Sequence, residues 1–175
     1  NPGAALLKVD SLTWRDDTNV PRLDDVSFTV NAGEIVGVAG VSGNGQTELL
    51  GLLSCMLDVQ QGQINIEGVC IDAQHQMTPK QIRHLGVGHV AEDRHRDGMV
   101  GAFSAEETAI MGFQDEPEFN GSILQNRSAI TEHCQELMST FDVRPVDPNL
   151  KSASFSGGNQ QKLCIAREMN AAPKV

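Results

Sequence analysis

The stretch Gly40-Val41-Ser42-Gly43-Asn44-Gly45-Gln46-Thr47 constrains this chain more than any other. It follows the apolar run Glu34-Ile35-Val36-Gly37-Val38-Ala39, which suits a buried parallel strand, and precedes a segment of helical composition from Thr47 to Leu57. Strand, glycine-rich loop and helix is the context in which backbone N–H groups wrap a polyphosphate. The spacing is that of GxxxxG followed by Lys and Ser or Thr, except that Gln46 stands in the lysine slot. An amide donates a hydrogen bond but does not neutralise β- and γ-phosphate charge. Thr47 places a hydroxyl where Mg²⁺ would be reached. Nucleotide handling is expected, with weakened or modified catalysis.

The 175 residues fit one domain or most of one. A net charge of −10 argues against a protein that wraps nucleic acid, which needs a basic field. No stretch approaches the roughly 18 apolar residues of a spanning helix. Asn1-Pro2-Gly3 has neither the basic flank nor the apolar run of a signal peptide, and both ends read as boundaries inside a longer protein. Cys55, Cys70, Cys134 and Cys164 form no CxxC pair, which favours free thiols over a disulfide or zinc framework.

Strands are expected over Leu6–Trp14 and Val26–Val30, and over Gln63–Ile71 with a turn at Gly68. Thr78-Pro79 opens a short helix, and Val87–Val90 reads as a buried strand before the charged stretch 91–98. From Ser104 to Phe141 the pattern is helical with one loop near Pro117 to Gly121, and Ile130, Cys134, Leu137, Met138 and Phe141 share a face. A last helix covers Gly157 to Ala171, with apolar Leu163, Ile165 and Met169. The order gives an α/β nucleotide-binding core carrying an α-helical subdomain.

Ser154-Phe155-Ser156-Gly157-Gly158-Asn159-Gln160-Gln161-Lys162 opens that last helix, where free N–H groups and the positive end of the dipole receive anions. Alone it reads rather as an N-cap serine after a flexible turn. Together with Ile165-Ala166-Arg167-Glu168, the turn resembles the signature motif of ATP-binding-cassette (ABC) ATPases. Leu23–Phe28 and Gly33–Gly40 match the same family. Gly43-Asn44-Gly45-Gln46, Glu92-Asp93-Arg94 and Asn159-Gln160-Gln161-Lys162 resemble the second cassette of tandem-cassette importers for simple sugars and nucleosides.

The resemblance implies a P-loop NTPase (RecA-like) core with an antiparallel β subdomain and an α-helical subdomain, incomplete at the C-terminus. Its divisions would be 1–103, 104–156 and 157–175. ATP and Mg²⁺ are the implied ligands. Ser42, Gly43, Asn44, Gly45, Gln46, Thr47 and Glu48 would contact the nucleotide, with Thr47 as the Mg²⁺ ligand. Trp14 occupies the place of the adenine-stacking aromatic, although a core role fits it equally. Ser156, Gly157, Gly158, Asn159 and Gln160 would complete the ATP site of another cassette. Glu92 stands where the family has a glutamine, and a carboxylate there would bind metal but repel a γ-phosphate. Arg94 and Arg96 would offset that charge, although as an exposed charged turn they are expected to do nothing chemical.

The Walker B aspartate, catalytic glutamate and switch histidine are expected beyond Val175, so residues 1–175 alone are expected not to hydrolyse ATP. Implied partners are a second cassette and transmembrane permease subunits, with a solute-binding protein acting indirectly and no nucleic acid. The implied location is peripheral, on the cytoplasmic face of the plasma membrane. Two other readings remain. A non-transport cassette ATPase of DNA repair or translation is disfavoured by the acidic charge. A Rossmann-type oxidoreductase lacks the G-x-G-x-x-G spacing and an acidic residue roughly 20 positions on.

Overall fold

Four antiparallel strands form where apolar and polar residues alternate. The computed structural model describes residues 3–41, 43–121 and 123–175. Strands β1 (Ala5–Arg15), β2 (Pro21–Asn31), β3 (Gln61–Ile66) and β4 (Val69–Asp72) make one sheet in the order β2-β1-β3-β4. Leu7 and Val9 of β1 face inward opposite Ile66 and Ile64 of β3. A register shift between Val9 and Leu12 turns Leu12 to the core in place of Ser11, a bulge that re-aims the strand. The β1–β2 turn is organised by Asp16, whose carboxylate accepts from the Thr18 hydroxyl at 2.7 Å, the Val20 N–H at 3.0 Å and Arg22 at 2.8 Å. These bonds, the Thr18 hydroxyl first, hold the Asp16 carboxyl well below the usual carboxylate range.

Helix α1 (Gln46–Leu53) lays Leu49 and Leu52 on the same core. Helix α2 (Pro79–His84) starts on a reciprocal capping box between Thr78 and Gln81 and adds Ile82. These elements belong to one compact unit, which runs to Val87 and includes Lys174 and Val175.

Two strand expectations fail. Residues 34–39 form no strand, and Ile35 is 97 % exposed, with Val38 and Val41 also open. An apolar run is consistent with a buried strand, but a strand in a sheet needs hydrogen-bonding neighbours, and none pairs with this segment among the described residues. Val36 and Val38 instead line an apolar cavity of about 360 Å³ with Leu7, Phe28, Leu49 and Leu53. Residues 87–90 likewise form no strand; Val87 is half-buried and Val90 exposed.

The second unit covers Gly88 to Pro173. It contains α3 (Ala105–Ala109), α4 (Arg127–Thr140) and α5 (Gly157–Asn170). The expected helix after Ser104 is cut to five residues, because Gly112 takes a left-handed backbone (φ 88°) and Pro117 opens a 3-10 turn. On the apolar face of α4, Ile130, Cys134, Leu137 and Met138 are buried as read, whereas Phe141 is the C-cap just past the helix and is half-buried against the same core. On α5 the expected stripe is corrected. Leu163, Cys164 and Ala166 go inside, whereas Met169 is 53 % exposed and Ile165 half-buried.

The same helix buries two charges. Arg167 and Glu168 are 6 % and 2 % exposed and form an ion pair of 2.9 Å. Arg167 also donates to the Gly98 carbonyl at 3.0 Å, and Glu168 accepts the His89 N–H at 3.3 Å.

Cys55, Cys134 and Cys164 are buried and Cys70 is exposed, all as free thiols. Burial pushes Cys55 up to about 11 and Cys134 to about 12, so little of either is thiolate near neutrality. In the native state a thiol reagent at pH 8 is expected to modify Cys70 alone quickly; fast labelling at a second cysteine, read by mass spectrometry, would contradict this burial. Arg167→Met is expected to destabilise the second unit by about 3–5 kcal/mol, since it strands the Glu168 charge inside. Urea unfolding monitored within that unit checks it.

Candidate nucleotide-binding turns

Gly45 stands at the N-cap of α1 with φ 92°, a left-handed backbone. A Cβ there would run into the carbonyl oxygen of Arg22 on β2. The loop is therefore pressed against the sheet edge, and only glycine is accommodated. Gly43 is exposed, and the N–H of Asn44 is spent on the Val41 carbonyl at 3.1 Å. Ser42 lies outside the described residues.

Gln46 is the first residue of α1 and half-buried. Its side-chain amide folds back over Gly40, where a Cβ would collide with Nε2. The position thus presents a neutral amide at the loop's entrance. Thr47 is exposed on the first turn of α1, and Glu48 follows it, half-buried. Among the described residues no group of three or more His, Cys, Asp or Glu side chains is placed to hold a metal. The oxygen donor at Thr47 suits a hard cation carried in by a phosphate chain rather than one caged by protein. Trp14 sits on β1 opposite Leu23, half-buried against the hydrophobic core, so its packing role is direct.

In the second unit, Ser156 occupies the N-cap of α5, and Ser156, Gly157 and Gly158 are all exposed. The Ser156 side chain accepts none of the helix's first-turn N–H groups. Those donors are left to water or a ligand, at the positive end of a 14-residue helix. Asn159 is half-buried and Gln160 almost fully buried.

Sequence reasoning missed Arg94. It heads a single π turn (Arg94–Gly98) whose N-cap Asp93 accepts from the N–H groups of His95 and Arg96. Arg94 Nε donates to Gln160 Oε1 at 3.1 Å, and Gln160 Nε2 donates to the Ser152 carbonyl at 3.2 Å. A Cβ on Gly157 would stand 3.1 Å from Arg94 Nη2. The guanidinium thus lies beside the exposed turn rather than in an idle charged loop. Arg96 is exposed and meets Asp97 at 3.7 Å. Glu92 is exposed in the bend before this turn. The signal for Arg94 was available only as a motif: a cation six residues before Val100 carries no periodicity.

A family model described as "ABC transporter" matches residues 23–175. Over 174 residues the chain is 34 % identical to the guanosine import ATP-binding protein NupO of Bacillus subtilis, and 37 % to the nucleoside import ATP-binding protein NupA of Lactococcus lactis. A ribose import ATP-binding protein, RbsA 1 of Rubrobacter xylanophilus, is 35 % identical. Each match covers 99 % of this chain, and the chain spans about a third of each relative (34 %, 34 % and 33 %). Among solved structures, a nucleotide-free ATP-binding cassette from an ABC transporter aligns with TM-score 0.75 at 16 % identity, over 97 % of this chain and 66 % of that one. The cassette MJ0796 bound to ADP and Pi aligns with TM-score 0.74 at 20 % identity, over 96 % and 71 %. The fold is that of a P-loop ATPase cassette, present here in part, and the family match sets the Rossmann oxidoreductase reading aside.

Gly45→Ala is expected to cost about 1–3 kcal/mol in unfolding free energy, because the residue must leave its left-handed conformation or displace the β2 edge. Thermal unfolding of the variant checks it, with Gly43→Ala, which shares a left-handed backbone (φ 88°) but meets no atom within 4 Å, as the comparison that carries the backbone cost without the collision.

Proposed function

Since the chain belongs to the ABC transporter family, we propose that it is an ATP-binding part of an importer for nucleosides or simple sugars. In this reading it is the second of two cassettes. Its own loop, Gly40 to Thr47, is a degenerate site that holds ATP to support closure. Its turn at Ser156 to Gln160 completes the competent site on the partner cassette. The observation that carries the reading is the pairing, on one chain, of a loop whose cationic position is a neutral Gln46 with an intact, exposed serine–glycine helix start. The names of the relatives support the class of solute, and an acidic net charge of −10 disfavours a nucleic-acid partner.

At the loop, backbone N–H groups and the dipole of α1 would hold the phosphates, and Thr47 would share Mg²⁺ with them. Bound Mg²⁺ would supply charge neutralisation at the β- and γ-oxygens. Trp14 would lie under the adenine near the end of β1. At the second turn, the α5 amides with Ser156 would receive a γ-phosphate, and the nearby Arg94 would soften the charge of the incoming anion. Closure of the two cassettes would then drive permease subunits at the cytoplasmic face of the membrane. Among the described residues no helix is long and apolar enough to cross a membrane, in keeping with a peripheral part.

The test uses the full-length protein with both cassettes. Gly157→Asp is expected to abolish ATP turnover, whereas Gln46→Ala leaves most of it. The opposite pattern reverses the assignment of the two turns. Gln46→Lys is expected to tighten Mg·ATP binding at this loop about ten- to a hundredfold in calorimetric titration, because a charge-assisted contact is worth about 1.5–3 kcal/mol.

A further inference from the structure

Asn159 lies between two fixed partners. Its Oδ1 accepts the main-chain N–H of Arg144 at 3.0 Å, and its Nδ2 donates to Ser156 Oγ at 3.1 Å. A backbone N–H can only donate, so the carbonyl end of the amide must face Arg144 and the NH₂ end must face Ser156. The orientation of this side chain is therefore dictated by its surroundings, not by a choice between equivalent flips. The Arg144 end is itself anchored: Arg144 Nε donates to Asp142 at 3.0 Å, and Lys162 Nζ donates to the Asp142 carboxylate at 3.0 Å and its carbonyl at 2.8 Å.

The consequence falls on Ser156. A hydroxyl has one proton to give and two lone pairs to receive. With one lone pair taken by Asn159, and with no first-turn amide bonded to the oxygen, the Ser156 proton and one lone pair are left to face outward, and an anion arriving at the turn selects the proton. A serine N-cap ordinarily turns its oxygen onto the helix and consumes one of the free N–H groups. Here Asn159 holds the oxygen instead, so the amides and the hydroxyl proton remain together as donors on one exposed turn.

We infer that Asn159 is a positioning residue that fixes Ser156 as a hydrogen-bond donor toward a phosphate oxygen. The inference rests on the reading above that this turn receives the terminal phosphate of a nucleotide, and it adds the residue that sets the polarity of the contact. Asn159 touches no phosphate in this scheme; it acts through Ser156.

Asn159→Asp separates direction from scaffolding. A carboxylate still accepts the Arg144 N–H, but its second oxygen also accepts, so it takes the Ser156 proton inward and leaves a lone pair facing the phosphate. In the full-length protein with its partner cassette, N159D is expected to lower ATP turnover about a hundredfold, while binding of a fluorescent ATP analogue before closure changes less than about twofold. Ser156→Ala is expected to lower turnover to a similar degree. Asn159→Ala is expected to cost about tenfold alone and less than about twofold in the S156A background, because its effect runs through the absent hydroxyl. A further tenfold loss in that background makes the role merely structural and overturns the inference, as does wild-type turnover in N159D. Should N159D fail to fold, the S156A and N159A pair decides alone. If S156A keeps full turnover, the turn receives no phosphate, and the proposed function and the inference fall together. If S156A loses turnover and N159D does not, the inference alone falls.

Discussion

The second unit depends on an ion pair that a hydropathy profile would place outside. Arg167 and Glu168 are consecutive residues of α5, yet both are buried, which is costly unless every polar atom finds a partner. The partners come from other segments of the unit. Arg167 reaches the carbonyl of Gly98 at 3.0 Å and that of Thr108 at 3.4 Å, while Glu168 holds the N–H of His89. One helix turn thereby fixes the entry to the charged stretch, its end, and the last part of α3. The Thr108 and Ser152 hydroxyls meet at 2.7 Å, and Gln160 Nε2 bonds the Ser152 carbonyl, so the buried polar contacts continue toward the N-terminal half of α5. That series of contacts ends beside the exposed Ser156 turn, about three turns along the same helix from the buried charges.

Much of this was legible in the sequence where the signal is local. The helix from Gly157, the apolar face of α4, the Thr78-Pro79 start of α2 and the strands through Trp14 and Val30 all follow from periodicity and helix-start chemistry read over a few residues. Arg167 and Glu168 were not legible as buried, because their burial depends on carbonyls and an amide 59 to 79 residues away that no periodic pattern encodes. Arg94 has the same character. Its value lies in Gln160, 66 positions later, and a charged turn gives no hint of that partner. Asn159 was noted only as a letter in a motif; its two hydrogen bonds make it a constraint on Ser156.

The failed strands at 34–39 and 87–90 teach the complementary lesson. An apolar run states that a segment prefers to be covered, not what covers it. Short turns join β1 to β2 and β3 to β4, and β1 pairs with β3 across the loop and α1, so the pairing of all four lies within residues 5–72. A parallel strand draws its neighbours from distant parts of a chain, and its local sequence is silent about them. With no paired neighbour among the described residues, Ile35, Val38 and Val41 stay open while Val36 turns toward the cavity beside Leu49 and Leu53.

The two turns that carry the functional reading differ in where positive charge comes from. At the first, the lysine position is an amide folded over Gly40, so any attraction for phosphate there is dipolar, from main-chain N–H groups and the start of α1. A dipolar cradle holds an anion but responds weakly to charge that develops during reaction, because no full countercharge stands by. At the second, the helix dipole is joined by a guanidinium within contact of Gly157, a placement that the helix's own positive end disfavours. Gln160 accepts from Arg94 and offsets part of that repulsion; an anion on the turn would offset the rest. In the proposed function each turn therefore takes a different part: the loop would tolerate a resident nucleotide, and the serine–glycine start of α5 would receive a phosphate brought by another molecule.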